Sequence, residues 1–148
     1  GALISHLARH GKICARASDI APQSVSIKSG DATTQLSCNG DCFITNPPWS
    51  RPVLHKIIER LSDIAPAWLL FDADWMHTKQ SAALMDRCRK IVSVGRLRWI
   101  PDSNMTGKDN CAWYLFDNSC LRPTQFVGRS ALTGTALYKT CLTQQWNL

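Results

Sequence analysis

The sequence predicts an α/β domain with a mostly parallel sheet, and three observations carry that expectation. Short β-favouring runs alternate with helical periods. Several of those runs end in an acidic or proline-rich turn, and one run, Ala67 to Phe71, is apolar throughout, as a strand covered on both faces must be. At 148 residues there is room for one domain and hardly two. A chain that is 45% hydrophobic and 19% charged is not disordered as a whole. Its longest apolar run falls far short of the roughly 20 residues a membrane-spanning helix needs, so a soluble, cytoplasmic protein with no membrane partner is expected.

The elements follow in order. Leu3, Ile4, Leu7 and Ala8 recur at helical spacing, with Gly11 placed as a C-terminal cap. Residues 12–18 read as a short strand running into Asp19 and a turn at Ala21-Pro22, and Val25 to Lys28 alternate as a second strand. Cys42 to Thr45 form a third, stopped by Asn46-Pro47-Pro48-Trp49. Ser50 then caps a helix with Pro52 in its first turn and a buried stripe of Val53, Leu54, Ile57, Ile58 and Leu61. The apolar strand ends at Asp72 and Asp74; Ser81 to Arg89 form a helix, Ile91 to Trp99 a strand, Pro101 to Asn110 a polar loop, and Cys111 to Phe116 a last strand. The final thirty residues show no clean period. Ligands in open α/β sheets bind past the carboxyl ends of the strands, which predicts one rim holding Asp19, Asp31, Asn46 to Trp49, Asp72 to Trp75 and the loop around Lys108.

Charge and cysteine usage narrow the classes further. Residues 79–98 carry Lys79, Arg87, Arg89, Lys90, Arg96 and Arg98 against Asp86 alone, a net +5 of the chain's +6. Such a local excess suits a polyanion, whose counterions are released as its phosphates are neutralised; a solvated helix face beside a charged strand edge is the ordinary alternative. Seven cysteines, with no C-x-x-C pair and no histidine at ligand spacing near Cys38 and Cys42, predict reduced thiols and no metal site.

The most informative tetrapeptide is Asn46-Pro47-Pro48-Trp49. The prolines have fixed φ and no N–H, and Asn46 is held extended by the proline after it. The turn is therefore rigid and offers the Asn46 side-chain oxygen and the Pro47 carbonyl as acceptors, beside the flat face of Trp49. That arrangement suits a planar molecule bearing an NH₂ group. The lone pair of an exocyclic amine is delocalised into its ring; two acceptors on its N–H bonds favour a pyramidal nitrogen and free the pair for in-line attack. Trp49 would stack on a base taken out of its duplex.

Asn-Pro-Pro-aromatic after an apolar strand resembles the catalytic motif of S-adenosylmethionine-dependent amino methyltransferases, above all the adenine-specific DNA methyltransferases. The resemblance spans about residues 1–117 and implies a Rossmann-like sheet with helices on both faces in a single domain, with 118–148 as a tail. It implies catalytic roles for Asn46, Pro47, Pro48 and Trp49. Gly1 resembles the last glycine of the cofactor loop, with the first strand and most of that loop missing from the chain. Asp19, with Ile20 beside it, is similar to the acidic residue that holds the cofactor ribose, at the roughly 20-residue spacing of dinucleotide folds. Asp31, with Ala32, is similar to the position that meets the cofactor adenine. Residues 91–99 and 111–116 would be the closing antiparallel hairpin. The implied cofactor is S-adenosylmethionine, and the implied partner is DNA, with RNA also open; Lys79, Arg96, Arg98 and Lys108 are the expected nucleic-acid contacts. An RNA base amine or a protein glutamine amide would fit the same acceptor pair, and a non-catalytic nucleic-acid-binding remnant is the reading from another class. With the glycine loop incomplete, the chain alone is expected to bind the cofactor weakly, and the chain extended by that segment to transfer methyl groups.

Overall fold

The computed structural model describes residues 2–98 and 106–129. Helix α1 (Ala2–Arg9) opens the chain, followed by β1 (Ser18–Asp19), β2 (Lys28–Ser29) and β3 (Phe43–Thr45). Then come α2 (Arg51–Ser62), β4 (Ala67–Asp72), the single turn α3 (Ala82–Met85), β5 (Cys88–Arg96), β6 (Asn110–Phe116) and β7 (Gln125–Val127). β1 and β2 form a small parallel pair of their own, and the other five strands form a mixed sheet in the order β3-β4-β6-β5-β7.

Within that sheet β3 runs parallel to β4 and β5 parallel to β7, while β6 lies antiparallel between β4 and β5. β3, β4, β5 and β7 thus all point one way, in keeping with the expected mostly parallel sheet, and β6 alone runs against them, which makes the sheet mixed. The carboxyl ends of β3, β4 and β5 consequently share one rim with the amino end of β6. Gly95, at φ +84°, sits at a register break between β5 and β6, and its missing side chain leaves room for the Arg129 guanidinium over the backbone.

One face of the sheet carries the core. Ala67, Leu69 and Phe71 of β4 face the same way as Ile91, Ala112, Tyr114 and Phe116, and α2 covers them with Leu54, Ile57, Ile58 and Leu61. Phe71 stacks on Tyr114 at 4.2 Å between ring centroids, and Trp75 meets both edge-on at 5.2 and 5.5 Å. The other face bears Trp68, Leu70 and Val92, also buried, so the fully apolar character of β4 reflects two covered faces. α2 and α3 touch each other and share the first face. Arg87 closes the amino end of β5 onto the end of α2 through an ion pair with Asp63 at 2.6 Å.

Several boundaries depart from the sequence reading. Residues 12–17 are not a strand, and pairing begins only at Ser18; the second strand is Lys28–Ser29, with 24–27 in a turn. Both segments are solvated and bury no side chain, so alternation there had no core to align with. α1 ends as expected, with Gly11 at φ +73°, Gly11 N–H donating to the Ala8 carbonyl and Lys12 N–H to that of Leu7, the paired bonds of a glycine-terminated helix. Ser50 stands at the amino end of α2 but its hydroxyl makes no capping bond, and Val53 is 38% exposed instead of belonging to the buried stripe. The helix expected over 81–89 is one turn, because β5 begins at Cys88, and β7 arises where no period was visible. Trp99 and the 101–105 part of the expected loop lie outside the described residues, as does the tail beyond Arg129.

Candidate functional site

The carboxyl end of β3 passes directly into Asn46-Pro47-Pro48-Trp49. Phe43, Ile44 and Thr45 pair with Ala67, Trp68 and Leu69, which fixes the strand end, and two prolines prevent any continuation. Pro47 is buried, Asn46 and Pro48 are exposed, and Trp49 is half-buried against the core. The four residues line a cavity of about 360 Å³ whose other wall is Gly107 and Asp109. Inside the motif the Trp49 indole Nε1–H donates to Asn46 Oδ1 at 3.4 Å, which fixes the amide with its oxygen toward the ring. An asparagine, two prolines and a tryptophan thus border one space open to solvent.

The rest of the rim is assembled by the sheet. Asp72 ends β4, and its Oδ1 accepts the Asp74 N–H at 3.0 Å. The Tyr114 hydroxyl donates to the carbonyls of Asp72 and Ala73 from beneath, and burial, then Asp72, raises its pKa. Burial likewise pushes the Cys111 thiol up, with Asp72 and Asp109 adding to the effect. Trp75 is not a rim residue: it lies in the core at 3% exposure, its Nε1–H donating to His55 Nε2 at 3.0 Å. The loop that carries Asp109 is pinned by Gly107 N–H to the Leu97 carbonyl at 2.8 Å and by Cys111 Sγ to the Asp109 carbonyl.

Of the expected cation positions, Lys79, Arg96, Arg98 and Lys108 are all exposed. Arg96 pairs across from Asn110, so it and Arg98 stand at the same rim as the cavity, and Lys108 belongs to the cavity loop. Arg87 and Arg89 do not add to this surface as the raw charge count suggested. Arg87 is tied to Asp63, and the Arg89 guanidinium donates to the carbonyls of Cys88 and Arg122.

The expected cofactor residues lie at and just beyond the small sheet, Asp19 at the end of β1 and Asp31 and Ala32 in a 3-10 turn after β2. Asp19 ends β1, is exposed, and accepts the Ala21 N–H at 2.8 Å through one carboxylate oxygen. Ile20 is 72% exposed. Asp31 accepts both the backbone N–H and the hydroxyl of Thr33 at 2.8 Å, and those bonds hold its carboxyl below the usual range. Ala32 packs against the core beside it. Gly1 lies outside the described residues. Asp19, exposed, and Asp31, half-buried, each use one carboxylate oxygen locally and keep the other as an acceptor of the kind that ribose hydroxyls and an adenine amine require, so the residues fit a nucleoside. Among the described residues no group of three or more His, Cys, Asp or Glu could hold a metal ion, and no helix is long and apolar enough to cross a membrane.

The loop around Lys108 was expected on this rim, and Gly107 and Asp109, on either side of Lys108, do line the cavity, although neither was named from the sequence. The antiparallel entry of β6 brings the residues before it to the end of β3. Compared with protein-family models, with curated proteins and with solved structures, the chain matches none. What fold and site define is an α/β domain with a mixed five-stranded sheet and an acceptor-lined, aromatic-walled cavity at its strand-end rim.

Proposed function

We propose that the chain is an S-adenosylmethionine-dependent methyltransferase acting on the exocyclic amine of adenine in DNA. The observation that carries this reading is the cavity bordered by Asn46, Pro47 and Trp49. An amine entering it meets the Asn46 oxygen and the Pro47 carbonyl, both acceptors, while its ring lies against the indole. The strand order supports the same reading, since β6 enters antiparallel beside β5, as the resemblance to this family implies for its closing hairpin. Exposed Arg96, Arg98 and Lys108 around the rim favour a nucleic acid over a protein amide as the acceptor.

The cofactor supplies an electrophilic methyl group on sulfonium sulfur. Asp19 would hold its ribose hydroxyls and Asp31 its adenine amine, each with the carboxylate oxygen not engaged in its own turn. Asn46 and Pro47 bind the amine and draw its nitrogen towards pyramidal geometry, in positions set by two prolines and by the Trp49 N–H, so little reorganisation accompanies attack. Trp49 replaces the stacking that a base loses on leaving its duplex.

The test is radiolabelled methyl transfer to oligonucleotides in which adenine or cytosine is the only amino-bearing base, by the chain alone and by the chain preceded by a strand and complete glycine loop. Transfer to adenine is expected, with Asn46→Ala lowering the rate roughly 100-fold or more and leaving cofactor affinity little changed. Undiminished turnover in that variant would remove Asn46 from catalysis. Absence of transfer to any nucleic acid overturns the DNA reading.

A further inference from the structure

The cavity has a wall that the amine-binding motif does not explain. Asp109 is the single ionisable side chain among the described residues lining it. Its position is built in: it directly precedes β6, its carbonyl accepts the Cys111 thiol, and the same loop is tied to Leu97 through Gly107. β4 alone separates β3 from β6, and Asn46 and Asp109, carried by the ends of those two strands, line the same cavity. The other rim carboxylate, Asp72, spends an oxygen on Asp74 N–H, whereas among the described residues the Asp109 carboxylate accepts no hydrogen bond.

We propose that Asp109 is a further catalytic residue, the acceptor of the proton that the amine must lose. This role rests on the methyl-transfer reading of the site. As the nitrogen lone pair forms the new N–C bond, the C–S bond breaks and its electron pair stays on sulfur. The nitrogen then holds its ring bond, the methyl group and two protons, and bears the positive charge. Asn46 and Pro47 offer neutral amide oxygens, far weaker bases than a carboxylate. They can orient the N–H bonds but cannot keep a proton. A carboxylate on the facing wall stabilises the charge as it develops on nitrogen and takes one proton, leaving a neutral methylamine, and its exposure to solvent lets that proton pass on.

The experiment compares the wild-type chain with Asp109→Asn, Asp109→Glu and Asn46→Ala, in both forms of the chain used above. It measures single-turnover methyl transfer, nucleic-acid affinity, cofactor affinity and circular dichroism. Asp109→Asn should lose about 100-fold or more in transfer rate, the usual contribution of a positioned base, with both affinities unchanged. Asp109→Glu should recover much of the loss. If Asp109→Asn transfers at the wild-type rate while Asn46→Ala does not, the proton-accepting role is overturned and the methyl-transfer reading stands. A loss in Asp109→Asn that appears in affinity instead of rate also overturns it. Should the wild-type chain transfer methyl to no acceptor, the underlying reading falls and this role with it. Asp109→Ala, which cannot accept a proton and adds no new polar group, serves as the second variant wherever Asp109→Asn alters the dichroism spectrum.

Discussion

Trp49 and Asn46 show how much a single contact decides. An asparagine amide presents an oxygen on one side and an NH₂ on the other, and only the oxygen can hold an amine. The Trp49 indole N–H makes that choice by donating to Oδ1, so the aromatic residue orients the acceptor as well as offering a stacking face. The motif itself was legible from sequence, because two prolines and an asparagine dictate their own backbone. The indole-to-amide bond was not, since it depends on a half-buried ring turning back across the turn. Asp19 closes a turn, its Oδ1 accepting the Ala21 N–H, and its carboxylate remains exposed. Asp19→Ala should weaken S-adenosylmethionine binding by about 1.5–3 kcal/mol, as loss of a hydrogen bond to a charged group does, measured by titration calorimetry. An unchanged dissociation constant would assign the carboxylate to the turn alone.

Among the elements, β5 joins structure to surface charge. Its first half is committed inward, with Cys88 buried, Arg87 paired to Asp63 just before it and Arg89 bound to carbonyls. Beyond the bulge at Gly95, Arg96 and then Arg98 are exposed. The charge count along the sequence could not separate these groups, because neither Asp63 nor Arg122 is near them in the chain. Replacing Arg96 and Arg98 with Gln should flatten the salt dependence of DNA binding by roughly one to two units of log–log slope, followed by fluorescence anisotropy between low and physiological salt. An unaltered slope would make this strand end a solvated edge. The long elements were readable for a plain reason: α2, β4 and β6 bury enough side chains for an apolar pattern to show, periodic in α2 and continuous in β4. β1, β2 and β7 have two or three residues each, and only their partners define them.

At the scale of the molecule, the buried side chains are unevenly placed. Every described residue that is fully buried lies between Pro47 and Phe116, and α1 buries none of its own. Asp19 therefore stands on the thinly packed part, Asp31 where a turn meets α2, and the proposed amine-binding rim on the densely packed part. Local opening free energies track burial of this kind. That division was partly visible in the sequence, where the apolar density rises after Asn46. The antiparallel pairing of β5 with β6 was expected and is observed, whereas the seam of β5 with β7 was not visible, because a strand's neighbours are chosen by the whole sheet.

The antiparallel strand at the centre of the sheet also sets the order of assembly. β4 and β5 share no seam; each meets only β6 on the side facing the other. The Tyr114 hydroxyl reaches back across 42 residues to the Asp72 carbonyl, so the seam closes a long loop before it gains anything in return. Until β6 is seated the chain holds two half-sheets with no common edge, and the rim that carries Asn46 and Asp109 does not exist. β6 is thus the keystone in time as well as in space. Ala112→Gly, at a buried position bonded on both sides, should put most of its lost stability into slower refolding, read by stopped-flow tryptophan fluorescence; a change confined to unfolding would mean that the halves join only after the barrier is crossed.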